Sequence, residues 1–88
     1  MVKVASRRQG EGWICDIEVE HAGERTKHVV TVSRSELERW GRGADVDDLV
    51  KRSFEFLLER ERPSSILRRF ELSVIQRYFP EYDERIRG

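Results

Sequence analysis

Hydrophobic and polar residues alternate along the first third of the chain, as in a β-sheet with one buried face. Residues 13–32 form two alternating runs separated by the turn-like sequence "HAGE". The apolar face of this predicted hairpin contains Trp13, Cys15, Ile17 and Val19, followed by Thr26, His28, Val30 and Val32. Val2 and Val4 alternate in the same way before the turn-like "RRQGEG". The pattern therefore predicts a three-stranded antiparallel meander over residues 1–32.

The polar face of the hairpin predicts how its two strands are aligned. Placing Glu20 opposite Arg25 across the turn creates one opposite-charge pair, and the same alignment creates a second. Cross-strand pairs of this kind stabilise an antiparallel sheet by up to about 1 kcal/mol each. The facing residues are then expected to be Glu20 and Arg25, Glu18 and Lys27, Asp16 and Val29, and Ile14 and Thr31.

After the meander, the apolar residues recur at helical spacing. Ser33 followed by Glu36 is a capping-box sequence and predicts a short helix over residues 33–40. Asp45 is the expected N-cap of a longer helix over residues 45–61, because its carboxylate can accept a hydrogen bond from the first helical turn.

Two shorter helices are expected beyond the long one, which Pro63 ends because proline lacks the backbone N–H that a helix needs. Apolar spacing predicts these helices over residues 65–70 and 72–79. The predicted fold is thus α+β, a three-stranded antiparallel β-meander followed by three or four helices packed on one face. A chain of 88 residues has the size of a single domain, here a meander (1–32) and a helical part (33–88).

The long helix carries apolar residues around more of its circumference than one small sheet can cover. They span an arc of roughly 200°, wider than the stripe of an ordinary surface helix. Apolar surface left on a monomer often marks an interface. We therefore expect a homodimer, or another protein partner, to cover Phe54, Phe56, Leu58, Phe70, Tyr78, Phe79 and Tyr82. The alternative is that residues 64–86 fold back and bury these side chains within one chain.

Composition narrows the class of protein. The 17 basic and 17 acidic residues cancel, so no net charge attracts the chain to nucleic acid or to an anionic membrane. An apolar fraction of 38% is enough for a folded core. The single cysteine excludes an internal disulfide, and the first residues lack the apolar stretch of a signal peptide. We therefore expect a cytoplasmic protein with no membrane association.

Few residues could carry chemistry. Cys15 and His28 share a predicted strand face, as a thiol–imidazole pair would, but that face is directed to the core, where cysteine is usually inert. The acids of "DVDD" lack the glycine and distal glutamate of a calcium loop and stand where a helix begins. One cysteine and two histidines are too few ligands for a structural zinc site. We expect no enzyme activity, no metal and no cofactor.

A cluster of arginines suggests an alternative function, an antitoxin-like regulator that binds nucleic acid. The cluster surrounds the turn at Pro63, and the sequence there is loosely helix-turn-helix in outline. However, a recognition helix exposes polar side chains to base edges, whereas residues 72–79 are mostly apolar. We therefore rank nucleic acid below a protein partner. The residues that would contact it are Arg60, Arg62, Arg68, Arg69 and Arg77.

The segment "RSFEFLLERERPSSILRRFELSVIQRYFPEYDERI" resembles a family of small uncharacterised prokaryotic proteins. The shared arrangement is a helix, a proline, "SIL" and "RYFPEY", after a strand that ends in "VTVS". The resemblance runs from about Trp13 onward and implies a compact cytoplasmic domain, without implying a substrate or functional residues. The leading prediction from the residues themselves is a non-enzymatic protein-interaction module, an adaptor or regulatory subunit, that forms a dimer.

Overall fold

The fold is α+β, with a four-stranded sheet that buries one face under helices. The computed structural model describes residues 1–87. The strands are β1 (Val2–Gln9), β2 (Gly12–His21), β3 (Glu24–Val32) and β4 (Arg69–Glu71). Strands β1 to β3 are antiparallel, and β4 lies beside β3 and runs parallel to it. The helices are α1 (Arg34–Glu36), which continues as a π-helical turn (Leu37–Gly41), α2 (Val46–Leu58), α3 (Val74–Tyr78) and α4 (Tyr82–Arg87).

The predicted alignment of β2 and β3 is confirmed at all four facing pairs. Arg25 and Glu20 form an ion pair at 2.9 Å, and Lys27 and Glu18 are 4.0 Å apart. These charges are exposed, so each pair contributes at most about 1 kcal/mol. They matter more for alignment, because a shift by one residue would move the buried side chains of the hairpin to the solvent face.

Both predicted helix caps are present. The Glu36 N–H donates to Ser33 Oγ at 3.1 Å, and the Ser33 N–H donates to Glu36 Oε1 at 2.7 Å, which completes the capping box. At the second helix, the Asp48 N–H donates to Asp45 Oδ1 at 2.8 Å. The turn between the helices uses Arg42 in the left-handed region, with φ of 48°.

The segment at residues 65–70, predicted to be helical, is instead a 3-10 turn (Pro63–Ser65) followed by β4. The Val29 N–H donates to the Arg68 carbonyl at 2.7 Å, and the Leu72 N–H donates to the Thr31 carbonyl at 3.0 Å. This pairing satisfies backbone groups along the edge of β3 that would otherwise be open. Tertiary pairing thus outweighs the helical spacing of the local sequence, and the sheet is four-stranded and mixed rather than a three-stranded antiparallel meander.

Helix boundaries differ from the prediction as well. The long helix predicted over 45–61 ends at Leu58, because the chain already turns ahead of Pro63. The helix predicted over 72–79 shortens to α3, and a further helix that the pattern does not predict, α4, follows Pro80. The longest helix has 13 residues, and no helix within residues 1–87 has the length and apolar character needed to cross a membrane.

The core lies between the inner face of the sheet and the helices. Trp40, Tyr82 and Phe54 are its largest fully buried side chains. Two of the polar contacts that join helix α4 to the rest of the chain involve buried aromatic side chains. The Tyr82 hydroxyl lies 2.7 Å from Ser53 Oγ, and Trp40 Nε1 donates to Asp83 Oδ1 at 2.8 Å. Burial raises the pKa of the Tyr82 hydroxyl, which therefore stays protonated and able to donate.

Four of the seven side chains predicted to form an interface are buried within the chain itself, namely Phe54, Phe56, Phe70 and Tyr82. Leu58 and Phe79 are half-buried against the core, and Tyr78 is exposed. The premise that one chain lacks the area to cover these residues is wrong for the four buried ones, because β4 widens the sheet and α4 packs beside α2. The tail folds back, as the alternative interpretation requires.

Candidate functional site

An apolar hollow opens where α3 and the segment before β4 meet the end of α2. Its volume is about 260 Å³. The buried part of its wall is formed by Leu57, Ile66, Phe70 and Ile75. Such a lining suits an aliphatic or aromatic side chain better than a charged ligand.

Two exposed apolar side chains stand at the mouth of this hollow. Leu67 is 49% exposed and Tyr78 is 68% exposed. Among the described residues, the only other large apolar side chain with comparable exposure is Met1 at the start of β1. Single exposed apolar residues are common on proteins, but two that flank an apolar hollow form a surface patch.

The free edge of β4 lies beside the same hollow. The backbone groups of Arg68 and Leu72 are directed to β3, and those of the intervening Phe70 are directed the same way. Because successive residues of a strand point their backbone groups to opposite sides, those of Arg69 and Glu71 are directed away from β3. Residues Leu67 and Phe70–Tyr78 together with this edge are called the β4–α3 surface below. It combines unpaired strand backbone with exposed apolar side chains.

The five arginines of the predicted nucleic-acid site do not act as one group. Arg60 is only 18% exposed, stacks on Phe56 at 3.7 Å and pairs with Glu81 at 3.1 Å. Arg62 pairs with Glu24, which lowers the pKa of that carboxyl. The remaining three are Arg68, Arg69 and Arg77. None of them forms an ion pair with a residue of 1–87.

A buried histidine holds the segment that leads into β4. His28 Nδ1 donates to the Leu67 carbonyl at 2.7 Å, and the Thr26 hydroxyl lies 2.8 Å from His28 Nε2 and donates to it. Burial lowers the pKa of His28, and the nearby Arg68 charge lowers it further, whereas the bond to Leu67 opposes both. The neutral ring therefore acts as a bridge between β3 and the start of the β4–α3 surface.

The residues weighed for chemistry occupy separate places. Cys15 is fully buried, and burial together with the Asp47 carboxylate raises its pKa to about 11, which disfavours the reactive thiolate. Both ring nitrogens of His28 are already engaged, neither of them by Cys15. In "DVDD", Asp45 caps α2 and Asp48 pairs with Arg52 at 3.0 Å. Within residues 1–87, no three potential ligands come together for a metal ion.

Comparisons with known proteins found no family model that matches the sequence and no similar curated protein or solved structure. The resemblance to a prokaryotic family therefore stays a prediction, and the function has to be argued from the geometry of the β4–α3 surface.

Sequence reasoning missed two parts of this surface, the β4 edge and Leu67. A signal for the edge is present, because the four residues from Arg69 to Leu72 alternate charged and apolar. The apolar residues over the longer stretch 66–79 also recur at helical spacing, and that longer pattern predicts a helix instead of a strand. The predicted helix over 65–70 places Leu67 in its interior, whereas Leu67 precedes the strand and its side chain is exposed.

Proposed function

We propose that this protein is a small non-enzymatic interaction module, an adaptor or regulatory subunit, that binds an extended polypeptide segment along β4. The segment adds a strand to the open edge, and the hollow receives one of its apolar side chains. The observation that carries this proposal is the coincidence of the outward-facing backbone of β4 with the exposed Leu67 and Tyr78.

Strand addition uses the two features differently. Main-chain hydrogen bonds to an exposed edge give affinity that depends little on sequence, and a neighbouring pocket supplies specificity. Full burial of a large apolar side chain is worth about 1.5–3 kcal/mol before the cost of ordering the segment. Leu67 and Tyr78 can supply such burial only when a partner covers them. Their exposure in the isolated chain is therefore what a docking surface requires.

Two substitutions on the β4–α3 surface test the proposal. Glu71→Pro removes an outward N–H without touching the β3 ladder, and proline is tolerated at an edge in that orientation. Tyr78→Asp places a charge at the mouth of the hollow. Both variants should retain the wild-type midpoint of urea unfolding. The matched control is Glu18→Ala, which changes an exposed residue on the outer face of the sheet.

The measurement is selection of a displayed library of short peptides against the wild-type chain, with binding of selected peptides to each variant by fluorescence anisotropy. We expect binding to fall at least about tenfold in Glu71→Pro and in Tyr78→Asp, and to stay unchanged in Glu18→Ala. Peptides that bind all four proteins equally would overturn the proposal. So would a wild-type chain that selects no peptide and shows no self-association.

Arg68, Arg69 and Arg77 favour nucleic-acid binding as a second candidate function, since no carboxylate within residues 1–87 neutralises them by an ion pair. If all three contact phosphates, the logarithm of the affinity for duplex DNA should fall with the logarithm of salt concentration with a slope of about −3. Anisotropy of labelled mixed-sequence DNA across a salt series measures this slope. No binding at low salt would exclude the candidate.

A further inference from the structure

We infer that the strand which β4 accepts is β4 of a second copy of this chain, in antiparallel orientation about a two-fold axis at Phe70. This inference rests on the proposed strand addition and names its partner. It draws on three observations, namely the direction of the backbone groups, the order of charges along β4, and the apolar side chains beside the edge.

The backbone of β4 suits an antiparallel copy of itself. In an antiparallel pair about a two-fold axis at Phe70, Phe70 of one copy faces Phe70 of the other. One position to either side, Arg69 of one copy therefore faces Glu71 of the other. Arg69 and Glu71 are the residues whose N–H and C=O groups are directed outward. Each can therefore exchange both hydrogen bonds with its counterpart, as the close pairs of an antiparallel ladder do.

The charges along β4 are complementary in the same alignment. Arg69 and Glu71 flank the buried Phe70 and have exposed side chains on the outer face of the sheet. In the two-fold pair, each arginine lies directly opposite a glutamate, and the arrangement occurs twice because the interface is isologous. Opposite charges in facing positions stabilise a pair of strands. Neither residue has an ion-pair partner within residues 1–87, so both charges remain available.

The apolar part of the β4–α3 surface lies where a second copy would cover it. Leu67, Phe70, Val74 and Tyr78 border the open side of β4 together with Arg69 and Glu71. A strand added at that edge brings its own inward-facing residue against them, and in a second copy this residue is Phe70. The joined molecules would share one continuous sheet, with the exposed Leu67 and Tyr78 of each copy beside the junction.

A second copy fits this edge better than a strand of unrelated sequence. The strand carries a cation, an aromatic residue and an acid in that order. Two such strands bring each cation opposite an acid only when they run antiparallel with the aromatic residues facing each other. A uniformly acidic strand would satisfy Arg69 and repel Glu71, and a phosphate backbone would do the same. A second copy of β4 is one strand that supplies this complementary order, and the chain itself always provides it.

Charge exchange at these two positions tests the inference by sedimentation velocity across a concentration series. Arg69→Glu and Glu71→Arg each place like charges at both facing positions, so each variant alone should dimerise at least about tenfold more weakly than the wild type. An equimolar mixture of the two variants restores both opposite-charge pairs and should give a heterodimer of wild-type affinity. The double variant Arg69→Glu with Glu71→Arg should dimerise by itself.

Each alternative outcome has a defined meaning. A dimer that survives in both single variants, or a mixture that fails to restore association, would overturn the inferred register. A mass of 10.5 kDa at every concentration for the wild type would exclude the second copy. In that case, peptide binding that is sensitive to Glu71→Pro would still support strand addition, so failure of the inference and failure of the proposed function remain distinguishable.

Discussion

The two edges of the sheet differ in length, charge and surroundings. The outer strand β1 has eight residues and β4 has three. Along β1 the charged residues are Lys3, Arg7 and Arg8, with no acid among them. In β4 one arginine and one glutamate flank a buried aromatic residue. The charges on β1 itself are therefore all basic, whereas the three residues of β4 carry no net charge and are self-complementary.

Their different composition predicts that the longer edge is the worse template for pairing. Met1 exchanges both of its backbone hydrogen bonds with Glu20 of β2. Because backbone groups alternate between the two sides of a strand, the odd-numbered residues of β1 bond to β2 and the even-numbered residues have N–H and C=O groups directed away from it. A second β1 would bring three further cations and no acid to this edge. Lysine and arginine on an edge strand commonly prevent unwanted pairing in this way. On the proposed pairing, charge order rather than strand length decides which edge associates.

Substitution of Phe70, the buried central residue of β4, should give the largest difference in stability between the two edge strands. Phe70 is buried and lies 6.0 Å from the Phe54 ring, centroid to centroid. Phe70→Ala is expected to lower the free energy of unfolding by about 3–5 kcal/mol, because it removes buried apolar surface and leaves a cavity. Val4→Ala on the half-buried face of β1 should cost about 1 kcal/mol or less. Urea unfolding of both variants measures the difference, and equal losses would contradict it.

The free energy of unfolding should also depend on pH through His28, which holds the segment before β4, and this effect should be smaller than that of Phe70→Ala. The pKa of buried His28 lies below its usual value of 6.5, so between these two values the unfolded chain binds a proton that the folded chain does not. Stability should therefore be full above about pH 6.5 and fall as the pH decreases, by at most about 1.4 kcal/mol per pH unit. The measurement is the difference between wild-type and His28→Gln unfolding free energies from pH 7.5 to 4.5. A difference that is independent of pH would rule out this titration.

The smallest effect is expected at the β1 edge. Arg7 pairs with Asp16 at 2.9 Å, and both side chains are largely exposed. Arg7→Ala should change the free energy of unfolding by about 0.5 kcal/mol or less, and the change should vanish at high salt because exposed pairs are screened. Chemical unfolding by urea at low and high sodium chloride tests this. A loss above 1 kcal/mol that persists in salt would mean that the arginine has a packing role on β1.

The sequence predicts local elements better than distant pairings. The capping box at Ser33, the cap at Asp45 and the alignment of β2 with β3 all depend on residues within about twenty positions of each other, and all are confirmed. The pairing of β4 with β3 joins Val29 to Arg69, and no local pattern specifies which edge a distant strand will meet. For the same reason the seven-residue interface was predicted from helical faces that the tail covers, and Leu67 was missed.

The distance along the chain between β3 and β4 sets an order of assembly during synthesis. The hairpin is complete once residue 32 has been made, but the strand that covers its β3 edge lies about forty positions later. Closing such a long loop is slower than forming a hairpin, so β4 docks late. Until β4 docks, the edge of β3, with its valines at positions 29 and 30, has no strand beside it. We therefore expect the hairpin without β4 to be more prone to misassociation than the complete fold.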